Sequence, residues 1–288
     1  MKKTILAFLS ILTAITSFSQ QPKEKTLLWK ISGNNISTAS YLYGTFHLLC
    51  PTDFNMPDTV KQLFATTKQL YLEIDIDDPN LNSRMMKGIK MKDNKNLKDF
   101  MSAKDYDSLA KIFQEKTKIP LSAVSSYKPF ILSSMLYPSM LGCAPIAFEK
   151  EFEKMAKSAK MEVLGLETIE DQMNVFDNIP YDVQAKMFMK SVYESEKSKK
   201  DFFEMVSMYK TKDVRAMHRN VRGDTDLGNF EKILLDKRNK NWIPVIEKII
   251  ADKSTFIAVG AGHLAGKKGV IKLLRKQGYK VEPIMYEN

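Results

Sequence analysis

Three histidines occur in 288 residues, at positions 47, 218 and 263, so imidazole chemistry has few places to reside. Two of them share a local pattern. Tyr41-Leu42-Tyr43-Gly44-Thr45-Phe46-His47 and Ile257-Ala258-Val259-Gly260-Ala261-Gly262-His263 each read as an apolar strand followed by Gly-x-x-His. With 12 glycines in the chain, a given histidine has one three places before it by chance in roughly 4% of cases, which makes two matches in three about a half-percent event. In open α/β sheets, ligands bind beyond the carboxyl ends of the strands, where both imidazoles would project. A neutral imidazole on a rigid strand end is a good metal ligand or a proton carrier near neutral pH. The competing reading makes each a structural histidine at a strand end.

Two acids follow the same logic. Glu73 lies in Tyr71-Leu72-Glu73-Ile74-Asp75, among apolar neighbours, and a carboxylate there must meet a cation, a metal or a hydrogen-bond donor. Glu167 ends Val163-Leu164-Gly165-Leu166-Glu167, again just after a glycine; its alternative role is as a first-turn acid of the next helix. Two histidines and two acids at strand ends suit a hard or borderline divalent ion with positions left open for water. His218, among Arg215, Arg219 and Arg222 in a helical stretch, reads as a satisfied surface residue. Gly260-x-Gly262-x-x-x-Gly266 imitates a dinucleotide fingerprint, but His263 interrupts it and too little chain follows for the rest of that module.

The elements that must position these groups are strands at both ends of the chain with helices between. Strands are predicted at Thr26 to Ile31, Ser40 to Leu48, Gln69 to Ile76, Met161 to Leu166, Thr255 to Gly260 and Tyr279 to Ile284. Helix is predicted at Asp58 to Thr67, through a region at about 80–160 broken by Pro120, Pro129, Pro138 and Pro145, again at about 169–252, and at Val270 to Lys276. The expected fold is α/β: a central mixed sheet with flanking helices and a large helical insertion, in a single domain spanning 20–288.

Residues 1–19 read as a signal peptide. Met1-Lys2-Lys3 is basic, Thr4 to Ile15 is mostly apolar, and small residues precede a cut before Gln20. The apolar run falls short of the ~20 residues a spanning helix needs, and no lipobox cysteine stands near the cut. The expected address is the periplasm or the exterior, with no transmembrane segment after removal of the signal. In such an oxidising compartment Cys50 and Cys143 could form a disulfide; Cys50 as a metal ligand is the alternative. Net charge is +10 and becomes +8 when Lys2 and Lys3 leave. The lysines are interleaved with acids, as in Lys150, Lys154, Lys157 and Lys160 among Glu149, Glu151 and Glu153, which reads as a solvated helix surface. No basic stripe interleaved with aromatics points to nucleic acid.

Gly44-Thr45-Phe46-His47, Tyr71-Leu72-Glu73, Gly165-Leu166-Glu167-Thr168 with Gln172, Arg238-Asn239 and Gly260-Ala261-Gly262-His263-Leu264 together resemble the TraB/PrgY/GumN family, in its motif order, over about residues 27–285. The signal peptide and size look most like the GumN-like bacterial branch, and the Tiki metalloproteases belong to the same family. The resemblance implies an α/β fold shared with erythromycin-esterase-like and ChaN-like proteins. It also implies metal-dependent hydrolysis of peptide bonds near a substrate's amino terminus, with manganese or cobalt as the ion and zinc possible. By position, His47 and His263 match the motif histidines, Glu73 and Glu167 the acids, and Arg238 and Asn239 the helical pair. The expected assignment is His47, His263 and Glu73 on the metal, with Glu167 as base and Arg238 holding an oxyanion or a substrate carboxylate. A protein that sequesters a peptide or a haem-like ligand without turnover is the alternative, and an envelope partner using its basic surface is a third reading.

Overall fold

A computed structural model describes residues 25–223 and 230–287; the expected signal peptide lies outside the described residues. Six strands form one mixed sheet: β1 (Leu28–Ser32), β2 (Ser40–Thr45), β3 (Gln69–Leu72), β4 (Glu162–Gly165), β5 (Thr255–Gly260) and β6 (Lys280–Pro283). Their order is β4-β3-β5-β2-β1-β6. The four strands β4, β3, β5 and β2 run parallel, and β1 pairs antiparallel with both β2 and β6. All six expected strands are present, so the fold is mixed α/β. Several end earlier than the apolar pattern suggests: β2 stops at Thr45 and β3 at Leu72, where the chain leaves the ladder to present side chains beyond it.

β5 occupies a central place for a physical reason. Its residues Thr255 to Val259 are buried on both faces, as a continuous run rather than an alternating one requires. Phe256 packs against Phe64 of helix Asp58–Ala65 and Phe152 of helix Phe148–Ser158, with ring centroids 5.3 and 5.0 Å away. On the ends that matter, register pairs Thr45 with Gly260, Tyr71 with Ile257, and Leu72 with Gly165. The residues after β2, β3, β4 and β5 therefore emerge side by side.

Helices fill the region between β3 and β4 and that between β4 and β5. A second apolar cluster, including Leu109, Phe113, Leu132 and Phe188, joins helices Ala103–Thr117 and Tyr181–Tyr193 away from the sheet. Among the described residues no helix is long and apolar enough to cross a membrane.

Cys50 and Cys143 are joined by a disulfide across 93 positions. Beside it, Leu49 and Ile146 exchange two backbone hydrogen bonds, at 3.0 and 2.7 Å. The loop after β2 is thereby sewn to the segment entering helix Phe148–Ser158. Reduction, or replacement of both cysteines by serine, is expected to lower unfolding free energy by about 4–5 kcal/mol on the loop-entropy account. Urea midpoints with and without reductant measure it, and coincident midpoints would contradict it.

Candidate functional site

The site starts from a charge problem. Glu73 follows β3 directly and Glu167 comes two residues after β4, so two carboxylates emerge from neighbouring parallel strands into a buried space. Their side chains are 9% and 8% exposed. Buried like charges are tolerated only with a cation and hydrogen-bond donors between them.

Arg238 supplies both. It stands where the π-helical turn Lys232–Lys237 passes into helix Arg238–Asp252. Its Nε donates to Glu167 Oε1 and Oε2 at 3.0 and 3.2 Å, and its Nη2 donates to Glu167 Oε1 at 2.6 Å and to Glu73 Oε2. Nη1 faces His263 Nε2 at 3.1 Å and the Leu234 carbonyl at 3.4 Å. All three guanidinium nitrogens are thus committed within the protein. Arg238 lies in the crevice, with its donors spent on the two acids and His263 rather than left for an oxyanion. Trp242, one turn on, lies under the guanidinium at 4.9 Å, donates from its indole N–H to Glu167 Oε2 at 3.0 Å, and sits 4.5 Å from the His263 ring. Gln172 donates to Glu73 and Glu167, both at 3.3 Å. Its helix, Ile169–Asp177, begins at Thr168 with a capping box to Asp171, so Glu167 lies just outside the helix.

His263 lies in the short turn Ala261–His263 after β5 and is buried. Asn239 Nδ2 donates to the carbonyls of His263 and Lys268 at 3.3 and 3.0 Å, which fixes its Oδ1 as the atom facing His263 Nδ1 at 2.6 Å. The proton therefore belongs on Nδ1, leaving the Nε2 lone pair turned toward Arg238 and Glu73. Burial pushes His263 down to about 3, against the pull of Glu73 and with the help of Arg238. For Glu73, burial opposes ionisation, but Arg238, then His263, His47 and the Gly260 N–H donating at 2.8 Å, outweigh it and hold the carboxyl well below its ordinary range.

His47 approaches from the open side. Its side chain is 60% exposed, and its Nδ1 lies 3.0 Å from Glu149 Oε1. Lost hydration on the inner edge opposes the charge; the ion pair and hydrogen bond with Glu149 outweigh it and raise His47 to about 9, with water screening the outer edge. The two imidazoles meet at Gly260. A Cβ there would lie 3.2 Å from Glu73 Oε1, 3.6 Å from His47 Nε2 and 3.7 Å from His263 Cδ2. The missing side chain leaves a cradle with two imidazoles and a carboxylate around it.

Glu149 is a correction to the solvated-surface reading: with Oε1 on His47 and on the Thr45 hydroxyl, and Oε2 buried, it faces inward from a helix whose lysines face out. His218 is another. Its side chain is 12% exposed, lies 3.3 Å from Glu231 and rests directly on Gly266, where a Cβ would fall 2.4 Å from Nε2. Trp242 had no sequence signal beyond standing four places after Arg238. Glu149 had one, since a Cys50–Cys143 bond brings its segment beside His47.

The chain matches the TraB/PrgY/gumN family over residues 27–283. It belongs to that family. A curated relative in the family's company is Metalloprotease TIKI1 of Danio rerio, 22% identical over 317 residues, an alignment that covers 89% of this chain and 63% of that protein. The chain thus spans less than two thirds of that relative's length. No solved structure shows significant similarity.

Removing the cation tests the charge balance. Arg238→Ala is expected to cost about 3–5 kcal/mol of stability by leaving two buried carboxylates uncompensated, as read from urea unfolding; a loss under about 1 kcal/mol would show the acids to be hydrated instead.

The pH profile has a sign on each side. An unfolded histidine takes up a proton below about 6.5, whereas His263 resists until about 3, so its contribution is full above 6.5 and erodes as pH falls toward 3. Glu73, held low, adds to that acid-side loss below its ordinary range. The His47–Glu149 contribution is full below 6.5 and is lost as pH rises through about 9. The urea midpoint is expected to peak near neutrality and fall on both sides. A midpoint still climbing from pH 7 to pH 9 would contradict the His47 pairing.

Proposed function

We propose that this family member is an exported, divalent-metal-dependent peptidase acting on peptides or amino-terminal segments of proteins. The observation that carries the reading is the convergence of His47 Nε2, Glu73 Oε1 and the His263 ring on the Cβ-sized gap at Gly260. Support for peptide-bond chemistry comes from the relative named a metalloprotease. Export to the periplasm or the exterior rests on the amino-terminal pattern, with the disulfide in keeping with it.

The donor types fit a borderline divalent ion: a neutral imidazole, His263, with its Nε2 lone pair set by Asn239, a second imidazole, His47, whose Nε2 must release the proton it holds below about 9, and a carboxylate kept ionised. Among the described residues no three His, Cys, Asp or Glu side chains are arranged as a formed metal site, and Arg238 Nη1 occupies the lone pair of His263. The residues that would hold the ion are His47, His263 and Glu73, once Arg238 yields that contact. A manganese or cobalt ion, with zinc as a third choice, would supply Lewis acidity for the scissile carbonyl and for water.

The chain's own groups do the rest. Hydrolysis adds hydroxyl to the carbonyl carbon and a proton to the leaving amine. Glu167 is the second acid available to take the water's proton, and because both its oxygens rest on Arg238 and Trp242, that role requires Arg238 to release one of them. Arg238 balances the acids and Asn239 orients His263. His47, the most exposed member, faces the side from which a substrate arrives.

A second reading, a protein that captures a peptide or a haem-like ligand without turnover, is favoured by the mutual satisfaction of Arg238 and the two acids. Product separates the two. A peptide library incubated with purified protein and manganese is expected to yield new amino termini, and chelator, His47→Ala or His263→Ala is expected to abolish them. Gly260→Ala should reduce cleavage by at least ~10²-fold, the scale of a misplaced reacting group, because the new methyl enters the cradle 3.2 Å from Glu73 Oε1 and displaces that carboxylate. A ligand-induced rise in thermal midpoint with no new termini would establish the binder.

A further inference from the structure

Glu149 does something for His47 that no other group in the cluster does. An imidazole that is 60% exposed has room to turn about its own axis and to present either nitrogen to the cradle. Glu149 Oε1 lies 3.0 Å from Nδ1, and an ionised carboxylate only accepts, so Nδ1 must carry the proton. Nε2 is then the nitrogen turned to Gly260, beside Glu73 and His263.

The carboxylate is itself held. The Thr45 hydroxyl, two residues before His47, donates to the same Oε1, and the Glu149 side chain is 13% exposed. The two stretches of chain are tied together on the far side of the pair: the Leu49–Ile146 bridge lies two residues beyond His47 and three before Glu149, and the Cys50–Cys143 bond lies just outside it. Neither strand β2 nor helix Phe148–Ser158 sets this distance alone.

We infer that Glu149 is a positioning residue that fixes His47 with its proton on Nδ1 and its Nε2 toward the Gly260 cradle, on a loop clamped by the Cys50–Cys143 disulfide. His263 has its counterpart in Asn239, so each imidazole is oriented through Nδ1 by a partner outside the cradle. Partners of this kind fix the tautomer and ring direction of histidine ligands. The inference rests on the reading of the cradle as the working centre, but its primary test does not require activity.

The full, oxidised chain has three histidines, so its imidazole nitrogens are assignable by single substitution in ¹⁵N-labelled protein. Without added metal, His47 is expected to show a slowly exchanging Nδ1–H that Glu149→Ala abolishes and Glu149→Gln, which keeps the shape, weakens. Calorimetric titration with manganese is expected to show affinity reduced roughly 10- to 100-fold in Glu149→Ala. Should Glu149→Ala fail to fold, Glu149→Gln carries both measurements. An unchanged Nδ1–H together with manganese affinity within about twofold of the parent overturns the inference. If the parent protein cleaves no peptide while the variants lose the Nδ1–H, the positioning role stands and the peptidase reading falls.

Discussion

One guanidinium between two buried carboxylates is the constraint from which the rest of the site follows. Strands β3 and β4 are parallel neighbours, so the acids that follow them cannot avoid each other without leaving the sheet end. Arg238 resolves the repulsion with donors to both, and its planar fork suits that task in a way a lysine's single ammonium would not. The cost of burying the charges is then shared with Trp242, Gln172 and the Gly260 amide, which meet the oxygens Arg238 leaves partly open. Trp242 is wholly buried in the same helix, so the clamp and the hydrophobic core are continuous.

That clamp sorts the two imidazoles into different environments. His263 is enclosed, packed against Trp242 at a tilt, and kept neutral; His47 stands at the edge, next to a carboxylate of its own. Equivalent motifs in sequence thus become an inner and an outer histidine in space. The asymmetry comes from the partners: an amide behind one ring, an ionised acid behind the other. The outer group sits on a loop secured by a covalent bond, and the inner one on a turn secured by the central strand.

Much of this was legible beforehand. Six strands could be placed, the central one because a strand buried on both faces reads as a continuous apolar run, and the shared Gly-x-x-His pattern named both imidazoles. Glu73 was readable as an acid too costly to bury alone, and Glu167 as an acid at the carboxyl end of a strand. The strand order was not readable, because β5 enters between β2 and β3 from far along the chain, and local pattern says nothing of non-local pairing. Glu149 was hidden among lysine-flanked glutamates whose period matches a solvated helix; Glu151 and Glu153 do pair with those lysines, whereas Glu149 pairs with His47. Arg238 was recognisable, but its use was not, since whether its fork meets substrate or the protein's own acids depends on how the helix from Arg238 to Asp252 lies against the sheet.

Diffraction from manganese-soaked crystals at the manganese absorption edge tests the central claim most directly. One anomalous peak at the Gly260 gap, flanked by His47, His263 and Glu73 with Arg238 still joined to Glu167, is the result this account predicts. A peak elsewhere on the molecule, or rings lying apart with the gap filled by a side chain, would contradict it.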